Sequence, residues 1–70
     1  MIKIAIVGTG IIGVEHIKAI SEVEGCCLCA LCDVNEDVVK KLSEEYNVPY
    51  FTDYKDIPSS VDVDAVIINL

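Results

Sequence analysis

At 70 residues the chain has room for one small domain, or for part of a larger one. A hydrophobic content of 53% excludes a disordered chain, and no apolar run approaches the roughly 20 residues of a membrane span. A formal net charge of -7 excludes a general nucleic-acid binder, which needs a basic face, but not an anionic ligand held by backbone amides.

Ile2 to Val7, apolar but for Lys3, predicts a strand buried on both faces, as in a parallel sheet. Gly8 to Gly13 reads as a turn that opens a helix over Ile11 to Val23. Glu15, Lys18 and Glu22 fall on the outer face of that helix. Ile12, His16, Ile17, Ile20 and Val23 fall on the inner face, and Gly25 stops it. Cys26 to Cys32 predicts a second buried strand, closed by Asp33.

Asn35 is a natural N-cap, and Glu36 and Asp37 suit the first turn of a second helix, where the helix dipole favours negative charge. Val38, Val39, Leu42 and Tyr46 form its expected buried stripe. Asn47 is suited to a left-handed C' position, with Pro49 shortly beyond. Pro49 to Thr52 predicts a short third strand, and Asp53 caps a helical turn over Tyr54 to Ile57. After a loop, Ala65 to Leu70 predicts a fourth apolar strand. Its uncharged, β-branched edge is expected to invite pairing with another chain. Strands and helices in alternation build an α/β fold with a parallel sheet. Read as the first, mononucleotide-binding part of a Rossmann-type doubly wound sheet, its four strands take the order 3-2-1-4, with two main helices.

The four cysteines, at positions 26, 27, 29 and 32, lie along the second strand. A strand rises about 3.3 Å per residue and alternates faces, so the thiols cannot converge on one metal. They are expected to act as small buried hydrophobes, and no metal site is predicted. Met1-Ile2-Lys3 enters the first strand with no leader, which predicts a cytoplasmic protein.

The chemistry lies in Gly8-Thr9-Gly10-Ile11-Ile12-Gly13. G-x-G-x-x-G gains specificity when it leaves a strand, opens a helix and meets an acid about 20 residues later, and Asp33 meets the last condition. Gly8 permits the tight exit, Gly10 lets a pyrophosphate approach the backbone, and Gly13 lets the helix pack on the strand. The first helical amides, at Ile11 and Ile12, face the ligand. Thr9 suits either a phosphate contact through its hydroxyl or a simple turn position. Asp33 is placed to accept from both adenosine ribose hydroxyls. Its neighbours Val34, Asn35 and Glu36 offer no arginine to answer a 2'-phosphate, so NAD is expected in preference to NADP. His16, the one histidine, is expected to be structural.

The sequence resembles the glucose–fructose oxidoreductase / inositol dehydrogenase / MocA (Gfo/Idh/MocA) family. The resemblance runs through IKIAIVGTGIIGVEHIKAI, through ALCDVNEDVVKKLSEEYNVPYFTDYKDI, and through VDAVIINL. It implies an NAD(P)-dependent oxidoreductase acting on sugars, polyols or related hydroxy compounds. It also implies that residues 1–70 are the N-terminal part of a dinucleotide-binding domain, with the substrate domain and all catalytic residues elsewhere in a longer parent enzyme. Implied cofactor contacts are Gly8, Thr9, Gly10, Ile11, Ile12, Gly13, Asp33, Val34 and Asn35, with Asn69 and Leu70 at the end of the fourth strand. Expected partners are the dinucleotide, a small-molecule substrate of the parent enzyme and further copies in a homo-oligomer, with no nucleic acid and no membrane. The alternative is a stand-alone NAD-sensing regulatory module without enzymatic activity. A methyltransferase would carry an acid just before the glycines, where Ile6 and Val7 stand instead.

Overall fold

The computed structural model describes residues 1–57 and 62–69, with the backbone alone at residues 11 and 12. Four strands form one sheet: β1 (Ile2–Val7), β2 (Cys26–Cys32), β3 (Tyr50–Phe51) and β4 (Ala65–Ile68). Their order is β3-β2-β1-β4, and every neighbouring pair is parallel. Two helices connect them, α1 (Ile11–Glu22) after β1 and α2 (Glu36–Tyr46) after β2. A short 3-10 turn, Tyr54–Asp56, follows β3.

Both helices pack on the same face of the sheet. Ile17 and Ile20 of α1 and Val39 of α2 share one buried cluster with Ile6 of β1 and Leu31 of β2. The opposite face holds a smaller cluster of Ala5, Ala30, Cys32 and Ile57. The small residues of β1 and β2 thus point away from the helices and the large ones point toward them, which is the period-2 alternation of a strand.

That alternation breaks once. The register between β1 and β2 shifts between Ile4, which pairs with Leu28, and Ala5, which pairs with Ala30. Cys29 is the extra residue of a β-bulge. Before it, Cys26 and Leu28 pack against the helix-side cluster; after it, Leu31 does. Cys29, Ala30 and Cys32 all lie on the other face. The simple alternation expected for the cysteines therefore does not hold. Only Cys32 is buried; Cys26, on the helix side, and Cys27 and Cys29 are half-buried. They remain strung along one strand, and among the described residues no group of histidines, cysteines and acids could hold a metal ion.

Local sequence fixes the ends of the elements. The Asn35 side chain accepts from the Val38 amide and caps α2, with Glu36 and Asp37 in its first turn. Asn47 ends α2 in the left-handed region at φ 55°. Asp53 accepts from the Lys55 amide and caps the 3-10 turn. Two details depart from the sequence expectation. Val23 is the C-cap of α1 and is 52% exposed, since the helix stops before turning it inward. Val38 is 41% exposed, and Val39 alone of the α2 stripe is fully buried. The third strand is shorter than expected, because only Leu31 and Cys32 reach far enough along β2 to pair with it.

The start of β4 is pinned by Lys3. Its amide donates to Asp64 Oδ2 at 2.8 Å, and its carbonyl accepts from the Asp64 amide at 2.8 Å. Lys3 Nζ also lies 3.3 Å from Asp62, an exposed pair that contributes little by itself. Val66 and Ile68 on β4 are 47% and 60% exposed, so this edge strand carries an uncovered apolar face. Among the described residues no helix is long and apolar enough to cross a membrane.

Candidate functional site

The C-terminal ends of β1, β2 and β4 meet around the glycine turn. In an open parallel sheet this is where ligands bind, beside the strand after which the direction of winding reverses. Gly8 leaves β1 with φ 92°, a conformation that side chains rarely adopt. Its amide donates to the Cys32 carbonyl at 2.8 Å, which ties the turn to β2. On the other side, Asn69 Nδ2 donates to the Gly8 carbonyl at 3.2 Å, and the Asn69 amide donates to the Val7 carbonyl at 2.8 Å. A Cβ on Gly8 would collide with the Asn69 carbonyl, and a Cβ on Gly13 would collide with the Gly8 carbonyl. These two glycines are packing requirements of the turn itself.

Gly10 differs. A Cβ there would meet nothing within 4 Å. The position needs no glycine for the protein's own sake, so the space above it is free for a ligand. Gly10 is also the N-cap of α1, in extended conformation, and no side chain caps the helix. No acid stands in the first turn of α1 either. The amides of the first turn, at Ile11, Ile12 and Gly13, are thus left to the open side with the positive end of the helix dipole behind them.

Asp33 closes the site across from the turn. Its Oδ2 accepts from the Thr9 amide at 2.7 Å and from Thr9 Oγ1 at 2.8 Å. Its Oδ1 accepts from the Asn35 amide at 3.0 Å. Backbone donation from Asn35 and then from Thr9 holds the Asp33 carboxyl below the ordinary carboxylate value of 3.8, so it is ionised at neutral pH. The Thr9 hydroxyl faces Asp33, and the residue is only 2% exposed.

A cleft of about 340 Å³ joins these groups, lined by Gly8, Gly10, Asp33, Val34, Thr52 and Asn69 among others. No lysine lines it, and the chain has no arginine. A larger hollow of about 470 Å³ lies against β4, with Tyr54, Ile57, Val63, Val66 and Ile68 on its walls. It lies on the thinly covered sheet face and carries the carboxylates of Asp62 and Asp64, which repel an anionic group, so the smaller cleft is the chemically equipped one.

The structure thus brings Gly8, Thr9, Gly10, Gly13, Asp33, Val34, Asn35 and Asn69 to one end of the sheet, with the backbone of Ile11 and Ile12. Leu70 lies outside the described residues. His16 is half-buried on α1, does not line the cleft, and keeps a buried Nδ1 without a hydrogen-bond partner. Burial pushes the Cys29 and Cys32 thiols up, in Cys32 with help from the neighbouring Asp33 charge. Neither is a ready nucleophile at neutral pH. Sequence reasoning did not find the bond between the Thr9 hydroxyl and Asp33. A hydroxyl between two glycines, with an acid ending the adjacent strand, is the signal that could have found it.

The pattern of the oxidoreductase family with an NAD-binding Rossmann fold, Gfo/Idh/MocA, matches residues 2–70. The chain belongs to this family. It is 29% identical over 70 residues to an inositol 2-dehydrogenase/D-chiro-inositol 3-dehydrogenase of Shouchella clausii, covering 96% of this chain and 20% of that protein. The crystal structure of apo scyllo-inositol dehydrogenase from Lactobacillus casei superposes with a TM-score of 0.88 at 33% identity, over 97% of this chain and 21% of that one. An oxidoreductase from Agrobacterium radiobacter in complex with NAD+, L-tartaric acid and magnesium superposes at 0.84 with 25% identity, over 96% of this chain and 20% of that one. The chain therefore spans about a fifth of the length of these relatives, and its four-stranded 3-2-1-4 sheet is the Rossmann arrangement of the family.

Proposed function

We propose that this chain holds the pyrophosphate and the adenosine ribose of NAD, in a dehydrogenase that moves hydride between the nicotinamide and a polyol, sugar or related hydroxy compound. The single observation that carries the cofactor reading is Gly10. It is the one position of the glycine turn where the protein leaves room for a Cβ and does not use it, directly above an uncapped helix N-terminus.

The residues present fit the cofactor. The amides of Ile11, Ile12 and Gly13 would hold the pyrophosphate beside Gly10 without a cationic side chain. Gly8 and Gly13 shape the turn, and Asn69 braces it. Asp33 accepts a ribose hydroxyl, Val34 lines the adenosine side of the cleft, and the Asn35 amide holds the carboxylate in place. Leu70 is assigned to the cofactor from its sequence position alone, next to Asn69. An ionised Asp33 with no arginine nearby repels a 2'-phosphate, which favours NAD over NADP. When bound, NAD supplies the hydride chemistry; this chain's residues bind and orient its adenosine half.

The substrate class rests on the inositol dehydrogenases among the relatives. In this reading residues 1–70 form the N-terminal part of the dinucleotide-binding domain of a cytoplasmic, homo-oligomeric enzyme. Titration calorimetry with NAD and NADP tests the cofactor assignment. Tighter binding of NAD, with the preference narrowed by Asp33→Ala, supports it; equal or tighter binding of NADP overturns it.

A further inference from the structure

We propose that Thr9 is a positioning residue for cofactor discrimination. Its hydroxyl and amide together lock the Asp33 carboxylate, and this lock, rather than any contact of Thr9 with phosphate, sets the preference for NAD. The proposal rests on the reading of the cleft as a dinucleotide site and adds a determinant inside the glycine turn, 24 residues before the acid that it controls.

The geometry begins with the count of acceptor sites. An ionised carboxylate offers about four lone-pair positions, two per oxygen. Thr9 occupies both on Oδ2, through its amide at 2.7 Å and its hydroxyl at 2.8 Å. Oδ1 accepts from the Asn35 amide at 3.0 Å, and the Val34 amide adds a weaker donation to the carboxylate. Oδ2 is filled by Thr9, so the accepting capacity that remains lies on Oδ1, the oxygen left to a ribose hydroxyl. A carboxylate held at both oxygens has no freedom to rotate. It presents a fixed acceptor to a 2'-hydroxyl and a fixed negative charge to a 2'-phosphate.

The hydroxyl itself has one proton, and that proton is spent on Asp33. At 2% exposure, Thr9 cannot also donate to a ligand in the cleft. The bond also couples two parts of the site that are distant in sequence. A turn that distorts at Thr9 moves the acid that reads the ribose.

The test compares three variants of the protein by titration with NAD and with NADP. Thr9→Val keeps the shape and removes the hydroxyl. Thr9→Ser keeps the hydroxyl and removes the methyl. Thr9→Ala removes both. A lock through the hydroxyl predicts that Val and Ala weaken NAD binding and shrink the NAD-over-NADP ratio by roughly three- to tenfold, while Ser stays near the wild type. NADP loses less, because a freed carboxylate can swing away from the extra phosphate. A role in packing alone predicts the reverse order, with Val near the wild type and Ser impaired, and overturns the proposal.

A second measurement needs no ligand and, in its first part, no variant. The Thr9 amide proton shift, followed by NMR against pH in the wild type, should move with the titration of Asp33, and the midpoint should rise in Thr9→Val or Thr9→Ala. An amide shift indifferent to acid overturns the lock whether or not the variants fold. The two readings fail separately. If the wild type prefers NADP, the cofactor assignment falls even where the titration shows the lock. If the wild type prefers NAD and Thr9→Val leaves the ratio unchanged, only the role of Thr9 falls.

Discussion

The two helices begin in opposite ways. α2 completes its own N-terminus: Asn35 caps it through the Val38 amide, and Glu36 and Asp37 stand in its first turn. α1 completes nothing. Its N-cap is Gly10, without a side chain, and its first turn holds no acid. Both helices face the same orphan amides and the same positive dipole end. One satisfies them with its own side chains; the other leaves them exposed at the mouth of a cleft. The contrast is what the proposed pyrophosphate site at α1 requires, since a side-chain cap there would compete for the same amides.

The comparison can be broken most severely at Gly8. Gly8→Ala puts a Cβ into the Asn69 carbonyl at a φ of 92°. We expect a loss of about 2–4 kcal/mol in denaturant unfolding, with cofactor binding lost as well. Gly10→Asp sharpens the contrast, because it gives α1 the kind of cap that α2 has. The added Cβ would meet no protein atom within 4 Å. We expect stability to hold or to rise by a few tenths of a kcal/mol, while dinucleotide affinity falls about 100-fold or more through like-charge repulsion. Retained binding in calorimetry would refute the pyrophosphate assignment.

The converse change is Asn35→Ala, which uncaps α2. It should cost about 1 kcal/mol in the melting transition and leave NAD affinity within about threefold, because it is the Asn35 backbone amide that contacts Asp33. A large loss of affinity with no loss of stability would mean that the Asn35 side chain belongs to the site and not to the helix.

The smallest effect is one of pH. The Asp33 carboxyl is depressed in the folded state, so its contribution is fully present above the unfolded value near 4 and is lost as pH falls through the lower folded value. Acid unfolding curves of the wild type should therefore fall off more steeply below about pH 4 than those of Asp33→Asn. Parallel curves would show that the hydrogen bonds from Asn35 and Thr9 do not favour the charged form.

Much of this was legible in the sequence, and for identifiable reasons. The parallel sheet followed from alternating elements and an apolar first strand, and its order 3-2-1-4 from reading the glycine turn as the start of a mononucleotide-binding half. The caps at Asn35, Asn47 and Asp53 followed from residue type alone, since each acts within a few residues of itself. The bulge at Cys29 was not legible. A run of apolar residues looks the same whether or not one is inserted, and only pairing with Ile4 and Ala5 of β1 reveals the slip. The Thr9–Asp33 lock was hidden for a related reason. Each residue has a sufficient local explanation, one as a turn residue and the other as a ribose acceptor, and their contact spans two strands. Exposure on α2 was misjudged at Val38 because the apolar stripe is wider in sequence than the surface it covers.

The hydrogen bond from Asn69 to the Gly8 carbonyl has a kinetic meaning. It joins residues 61 positions apart, so it forms only after a loop of nearly the whole chain has closed. The unit of β1, α1 and β2 can assemble from closer contacts, but the glycine turn stays unbraced on one side until β4 arrives. Closing such a loop is entropically costly and slows the contacts that depend on it. The turn should thus reach its binding geometry late in folding and open early in unfolding. Hydrogen exchange at the Gly8 and Asn69 amides should run ahead of exchange in the centre of β1, and bound dinucleotide should slow it most at that end of the sheet.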